Sequence, residues 1–171
     1  ISFDVDAETY GSQVDTLINA YAVGKSVTFP RPSYDGRWLL YSYADFGCFP
    51  INHKEADLWL LDLQDGSTHP LEKANSSYCE SFHNWSSDSH WILFASRRGD
   101  SLYSRIYIAQ IDEEGNASKP FLLPQKDPAF YHKTLFTFNV PDFTKERVDF
   151  KTRGAYEEAF SDQRVKVTVK K

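Results

Sequence analysis

The stretch "CESFH" places an acid and a candidate base three residues apart, at Glu80 and His83. These residue types exchange protons in enzymes and also hold polar ligands through hydrogen bonds. Successive side chains of a strand point to opposite faces, so this spacing keeps the two apart unless a bulge intervenes. We therefore do not expect an acid–base pair. The simplest interpretation is that Glu80 and His83 are solvated or hydrogen-bonded within the protein. The more specific hypothesis is that they bind a ligand.

A second polar pair lies in "ASRRGD", where Arg97 and Arg98 follow an apolar run. Adjacent strand positions point in opposite directions, so we expect one guanidinium to stack on an aromatic ring and the other to bind a loop carboxylate. Structural pairing is the default expectation, and binding of a ligand carboxylate is the alternative. The candidate binding residues are therefore Glu80, His83, Arg97 and Arg98.

Other kinds of chemistry find little support in the sequence. No Ser lies in the Gly-x-Ser-x-Gly frame of an α/β-hydrolase nucleophile, so we predict no catalytic residues and no enzyme activity for this chain. His53, His69, His90 and His132 lack the spacing of metal ligands, and we predict no metal site and no cofactor.

Composition limits the classes of partner and the class of fold. Aromatic residues make up 16% of the 171 residues, which favours a β-rich protein. There are 24 acidic and 19 basic residues and no basic stripe, so we expect no nucleic-acid partner. No apolar run approaches the roughly 20 residues that cross a bilayer, so we predict no transmembrane segment. Cys48 and Cys79 have no diagnostic spacing; a disulfide stays open, and two free buried thiols are the simpler interpretation.

The elements that position these residues come from an internal repeat. The pattern Ser-x-Asp-x-x-Trp occurs twice, 53 residues apart, as Ser33, Asp35 and Trp38 and again as Ser86, Asp88 and Trp91. Asp side chains and a following Gly form tight turns, so each copy predicts a hairpin corner that leads into a buried strand. Ser89 stands where the first copy has Gly36, and we expect its turn to avoid the left-handed region.

Each copy of the repeat predicts four antiparallel strands. The predicted strands are 26–32, 37–44, 57–63 and 68–72 in the first copy, and 78–85, 90–97, 105–111 and 118–123 in the second. The second and third strands of each copy are almost continuously apolar, which predicts that both of their faces are covered.

The ends of the chain depart from the repeat. Residues 1–20 are interpreted as the end of a preceding unit, with a fourth strand over 13–20. Residues 124–171 predict an irregular arm that packs on the sheets and ends in a half-exposed strand over 164–171. Only 155–163 has a weak helical pattern. The chain opens in a strand pattern without Met, so we interpret it as a fragment or processed piece.

Units of four strands with "SYDG" (33–36) between the first two strands resemble the β-propeller repeat of TolB-like proteins. The run from Glu80 to Tyr131 resembles a set of these proteins that is common in Bacteroidetes. The blades of prolyl-oligopeptidase and dipeptidyl-peptidase propellers are similar. The usual motif is Ser-Pro-Asp-Gly; here Tyr34 replaces Pro, and Ser87 and Ser89 depart in the second copy. The resemblance implies an all-β partial propeller of about two and a half blades. Its blades are 1–123 (1–20, 26–74 and 78–123), with the arm at 124–171. A propeller needs four or more blades to close.

The resemblance implies a function only in outline, because propellers host many activities. It implies a non-enzymatic scaffold that binds protein or glycan at the bacterial cell envelope or in the periplasm. The alternative is the accessory, substrate-gating propeller of a dipeptidyl-peptidase-like serine hydrolase. The expected partners are the remaining blades of a parent propeller, or a second copy that covers the open sheet faces.

Overall fold

Two four-stranded antiparallel sheets dominate the computed structural model, which describes residues 1, 3–149 and 151–161. The first sheet has the order β3-β4-β5-β6 and the second the order β7-β8-β9-β10, so neighbours in sequence are neighbours in the sheet. The prediction of an all-β chain built from four-stranded antiparallel units is confirmed. The strands are β3 (Ser26–Pro32), β4 (Trp38–Ala44), β5 (Asp57–Asp62), β6 (Thr68–Pro70), β7 (Glu80–Trp85), β8 (Trp91–Ser96), β9 (Arg105–Gln110) and β10 (Phe121–Leu122).

Short elements surround the sheets. A separate hairpin pairs β1 (Phe3–Asp4) with β2 (Thr9–Tyr10), and both strands are exposed. The helices are α1 (Ala20–Val23), α2 (Phe130–Lys133) and α3 (Thr152–Ala159), and a 3-10 turn covers Pro50–Asn52. None of the helices in the described part of the chain has the length and apolar character needed to span a membrane.

The Ser-x-Asp motif forms the same turn in both sheets. Ser33 Oγ donates to the Asp35 carboxylate and accepts the N–H of Trp38 at 2.9 Å, while Asp35 accepts the N–H of Arg37 at 3.1 Å. In the second sheet Ser86, Asp88, His90 and Trp91 repeat this arrangement, with Ser86 Oγ 2.9 Å from Trp91 N and Asp88 Oδ1 3.1 Å from His90 N. These hydrogen bonds lower the pKa of both Asp carboxyls, with the Ser hydroxyl as the largest cause.

The expectation for Ser89 is wrong. Its φ is +62°, in the same left-handed region as Gly36 at +74°. Left-handed backbone costs a residue with a side chain roughly 1–2 kcal/mol. A contact between the sheets offsets this cost, because Ser89 Oγ accepts the N–H of Asp35 from the first sheet at 3.0 Å.

The main core lies between the sheets. One face of the first sheet carries Leu40, Leu58 and Leu60, each with no exposed surface, and we call it the inner face. It packs on the face of the second sheet that carries Ile92, Phe94, Tyr107 and Ala109. Burial of one such large apolar side chain contributes roughly 1.5–3 kcal/mol. The apolar runs of the repeat therefore form the interface that holds the sheets together.

The arm covers the remaining face of the second sheet. Leu93, Ala95 and Ile106 are buried on this face, and Phe138 and Phe143 from the arm pack against their cluster. The backbone takes part as well, because the N–H of Phe138 donates to Ser104 O at 3.1 Å. Asn84 Nδ2 donates to Asp142 Oδ1 at 2.7 Å.

Four expectations concern the chain ends and the cysteines, and three of them can be compared with the structure. Residues 13–20 form no strand; the backbone there is irregular and enters α1, which is capped by Asn19, so the prediction of a fourth strand is wrong. Cys79 is buried as expected, whereas Cys48 is exposed, and both thiols are free. The strand predicted over 164–171 lies outside the described residues, and α3 overlaps the weak helical pattern only in part.

Candidate functional site

Glu80 is fully buried and its carboxylate is saturated by protein donors. It opens β7, where the chain enters the second sheet. Its Oε1 accepts Ser76 Oγ at 2.7 Å, Ser96 Oγ at 2.8 Å and Arg98 Nη2 at 2.9 Å, and its Oε2 accepts the N–H of Ser76 at 3.0 Å. A buried charge is tolerated when it is paired and hydrogen-bonded in this way. No lone pair of Glu80 is left facing solvent.

Arg98 completes this network from the end of β8. Its Nε donates to Ser96 Oγ at 3.0 Å and its Nη2 also donates to the Ala74 carbonyl. The guanidinium lies over the rings of Phe94 and Tyr107, with centroid distances of 5.3 and 4.7 Å. The structure therefore places Glu80 and Arg98 in one ion pair inside the protein.

His83 lies at the interface between the sheets and not beside Glu80. Its Nε2 is 2.7 Å from Phe29 O and 3.1 Å from Leu40 O, and two carbonyl acceptors require this nitrogen to carry the proton. Burial lowers the pKa of His83 to about 4, although the two carbonyls act in the opposite direction. The imidazole is therefore neutral at pH 7 and ties β7 to the first sheet.

Each first strand also contains a bulge, and in β7 it lies at Phe82, between Glu80 and His83. Phe29 has φ +53° and Phe82 has φ +49°, and the register of both strands shifts around these residues. The two rings pack on each other across the sheets, with centroids 5.0 Å apart. The bulge leaves one signal in the sequence, because Phe29 and Phe82 are 53 residues apart, as are the two copies of the turn motif.

Asp57 lies near the Glu80 network at the start of β5. Burial, together with the negative charge of Glu80, raises the pKa of Asp57 to about 6. No hydrogen bond from the described residues to the Asp57 carboxylate contributes to this pKa. The local sequence gives no signal for Asp57, because only the tertiary structure brings β5 close to the start of β7.

Arg97 lies apart from Arg98, at the mouth of a cavity of about 190 Å³. The cavity is formed where the loop before β5 meets the start of β7 and the loop after β8. It is lined by Ile51, Asn52, Lys54, Tyr78, Cys79, Arg97 and Ser101. The Arg97 guanidinium has one weak contact, from Nη2 to Asn52 Oδ1 at 3.4 Å, and its Nε is buried without a partner among the described residues.

The four predicted binding residues thus fall into three places. Glu80 and Arg98 form a buried pair, His83 joins the sheets, and Arg97 alone borders a cavity. Within the ranges that the structure describes, no three His, Cys, Asp or Glu side chains are grouped as a metal site would require. A ligand-binding role for these residues stays a prediction.

Comparisons with known proteins add a weak structural likeness. The sequence matches no protein-family model and no curated protein. One solved structure, from a structural and mechanistic study of two prolyl endopeptidases, is similar at 16% identity and a TM-score of 0.34. The match covers 66% of this chain and 23% of that chain, so this chain spans about a quarter of the length of that protein.

Proposed function

We propose that this chain is a segment of a TolB-like β-propeller that serves as a non-enzymatic scaffold for binding protein or glycan at the bacterial cell envelope. The observation that carries the proposal is the way in which the two sheets contact each other. Trp85 Nε1 donates to Arg31 O at 3.0 Å, and this contact joins residues 54 apart in sequence. The contacts of His83 with Phe29 and of Ser89 with Asp35 have the same separation.

Contacts between nearly equivalent residues of successive repeats define a head-to-tail interface. Such an interface uses two different faces of the same unit, so it can be repeated and closes into a ring when the rotation permits. A propeller is this kind of ring, with four to eight sheets about a central channel. This head-to-tail interface therefore supports a propeller better than an isolated pair of sheets.

The outer face of the first sheet supports the same proposal. Leu39, Tyr41, Trp59 and Leu61 on this face occupy the register positions that Ile92, Phe94, Tyr107 and Ala109 occupy in the second sheet. Those four residues of the second sheet pack on the inner face of the first. If equivalent faces pack in the same way, the Tyr41 and Trp59 face would pack on the inner face of a preceding sheet.

The proposed binding role is assigned to the loops, because the polar residues of the strands bond other groups of the protein. Glu80, His83 and Arg98 all satisfy protein groups at or beside the interface between the sheets, which is a structural use. Loops at the ends of the sheets are then the surfaces left for recognition, as is common where a rigid scaffold presents loops.

The test uses the full gene product that contains this chain. We expect its experimental structure to place a further four-stranded sheet on the Tyr41 and Trp59 face. We also expect no labelling by a fluorophosphonate serine-hydrolase probe and no cleavage of Xaa-Pro-p-nitroanilide substrates. Labelling together with cleavage would assign the chain to the accessory propeller of a peptidase instead.

A second measurement addresses the place of action. Fractionation of the native cells is expected to recover the protein in the periplasm or the envelope. Recovery in the cytoplasm alone would contradict the envelope role and leave the fold assignment standing.

A further inference from the structure

The charged side chains that line the cavity beside Arg97 are positive. Lys54 and Arg97 both line it, and no acidic side chain is among its described lining residues. Burial raises the pKa of the Cys79 thiol, and its Sγ lies 3.2 Å from Ile51 O, to which it donates, so the thiol adds no negative charge.

Four acidic residues are near the cavity along the chain. Glu80 is paired with Arg98, and Asp57 and Glu55 line a neighbouring pocket together with Lys54. Glu55 Oε1 lies 3.4 Å from His53 Nδ1. Asp100 accepts the N–H groups of Leu102 and Tyr103 at 2.9 and 2.8 Å and lies 3.8 Å from Arg105. Within the described ranges, neither Lys54 nor Arg97 forms an ion pair.

Arg97 differs in this respect from the other arginines that end or begin the strands of the second sheet. Arg98 is paired with Glu80, and Arg105 donates to the carbonyls of Phe136, Tyr131 and Thr134. A buried guanidinium N–H without an acceptor is costly, and a ligand oxygen would remove that cost. We infer that the cavity beside Arg97 and Lys54 binds a carboxylate carried on a small apolar group, such as the C-terminus of a peptide.

The other lining groups favour a peptide carboxylate over an acidic sugar. Ile51 and the ring of Tyr78 offer apolar surface next to the two cations, and Lys54 Nζ lies 5.1 Å from the Tyr78 ring centroid. A sugar acid would bring several hydroxyl groups that each need a partner. The neutral polar side chains of the lining are few: Asn52, Tyr78 and Ser101.

This inference narrows the ligand of the proposed scaffold and rests on that binding function. The experiment follows backbone amide signals of the isotope-labelled 171-residue chain by NMR while N-acetyl-leucine is added. We expect saturable shifts at Asn52, Cys79 and Ser101. We expect two control compounds to bind at least tenfold more weakly than N-acetyl-leucine. N-acetyl-leucinamide lacks the negative charge, and glucuronate carries the carboxylate on a sugar.

Substitutions identify the residue responsible. Arg97→Gln is expected to weaken N-acetyl-leucine binding at least tenfold, which corresponds to about 1.4 kcal/mol. Arg153→Gln is the matched control, because Arg153 is exposed on α3 and pairs only with Glu157 at 2.8 Å among the described residues. Lys54→Gln, at an exposed position, tests the same site if Arg97→Gln disturbs folding.

Several results would overturn the inference. Equal binding of the acid and the amide, tighter binding of glucuronate, the absence of saturable shifts, or unchanged binding by Arg97→Gln and Lys54→Gln each contradicts it. These failures leave the scaffold proposal intact if the protein binds elsewhere. Labelling by the fluorophosphonate probe would contradict the scaffold proposal and not the carboxylate site.

Discussion

At the scale of single residues, His83 makes the contact between the sheets depend on pH. Its pKa is about 4 in the folded chain, against an ordinary value of 6.5. The unfolded chain therefore binds more protons between these values, so stability rises with pH through this window and is lost on acidification. The loss between pH 6.5 and pH 4 amounts to about 3 kcal/mol at most.

We expect His83→Gln to be less stable than the unsubstituted chain at pH 7 but to lose much less stability between pH 6.5 and 4. Urea unfolding followed by Trp fluorescence at a series of pH values measures this difference. His132→Gln, at an exposed position, serves as the control and should keep the original profile. An unchanged slope in His83→Gln would show that another group dominates the acid response.

Asp57 changes the stability with pH in the opposite direction to His83, over an overlapping pH range. Its folded pKa of about 6 lies above the ordinary 3.8, so the folded chain binds more protons between these values and stability falls as pH rises through them. Asp57→Asn should therefore raise the free energy of unfolding at pH 7 by about 1 kcal/mol, after allowance for partial exposure. At pH 3 it should have little effect. Urea unfolding at both pH values tests this, with Asp149→Asn at an exposed position as control; equal effects at the two values would refute it.

At the scale of elements, the turns that follow β5 and β9 differ in the space they leave for a side chain. Gly66 and Gly115 both follow third strands and have φ of +77° and +82°. A Cβ at Gly66 would meet nothing within 4 Å, whereas a Cβ at Gly115 would lie 2.7 Å from Trp38 Cη2. The second turn therefore packs against the first sheet, in addition to reversing the chain.

Gly66→Ala is expected to cost about 1 kcal/mol, because only the left-handed backbone is penalised. Gly115→Ala should cost a further 1–3 kcal/mol, roughly, because the methyl group must displace the Trp38 ring. Thermal and urea unfolding of the two variants give the comparison. Equal costs would mean that the turn at Gly115 moves freely away from Trp38.

At the scale of the whole molecule, the arm covers one outer face of the pair of sheets. Phe138 and Phe143 cover the face of the second sheet that corresponds in register to the inner face of the first. In a continuous array of sheets, that position would receive a further sheet. The arm therefore occupies the place of a neighbour on one side. On the other side, Tyr41 and Leu61 are buried and Trp59 is half-buried, so this face is already partly covered.

Phe138→Ala should loosen the arm and expose the face that the arm covers. We expect a loss of about 2 kcal/mol in stability, since the ring is half-buried, and faster proteolysis between 124 and 149. Phe136→Ala is the matched control, because that ring is 69% exposed and its backbone carbonyl still accepts Arg105. Equal proteolysis rates in the two variants would show that Phe138 does not hold the arm.

The local order of the chain was accessible from the sequence. The spacing of Ser33, Asp35 and Trp38 and its copy predicted both hairpin corners, and the apolar runs predicted the strands to within about two residues for most of them. These features depend on hydrogen bonds between near neighbours and on burial of both sheet faces, which leave a pattern in sequence.

The tertiary structure decided what each polar side chain does. Arg97 and Arg98 are the same residue type at adjacent positions. Arg98 is nevertheless paired with buried Glu80, whereas Arg97 borders a cavity. The hydroxyl of left-handed Ser89 meets the first sheet. His83 is neutral because it is buried against that sheet, where its two carbonyl partners lie 43 and 54 residues away in sequence. Such roles depend on atoms brought together from distant parts of the chain, and local spacing carries no record of which atoms those will be.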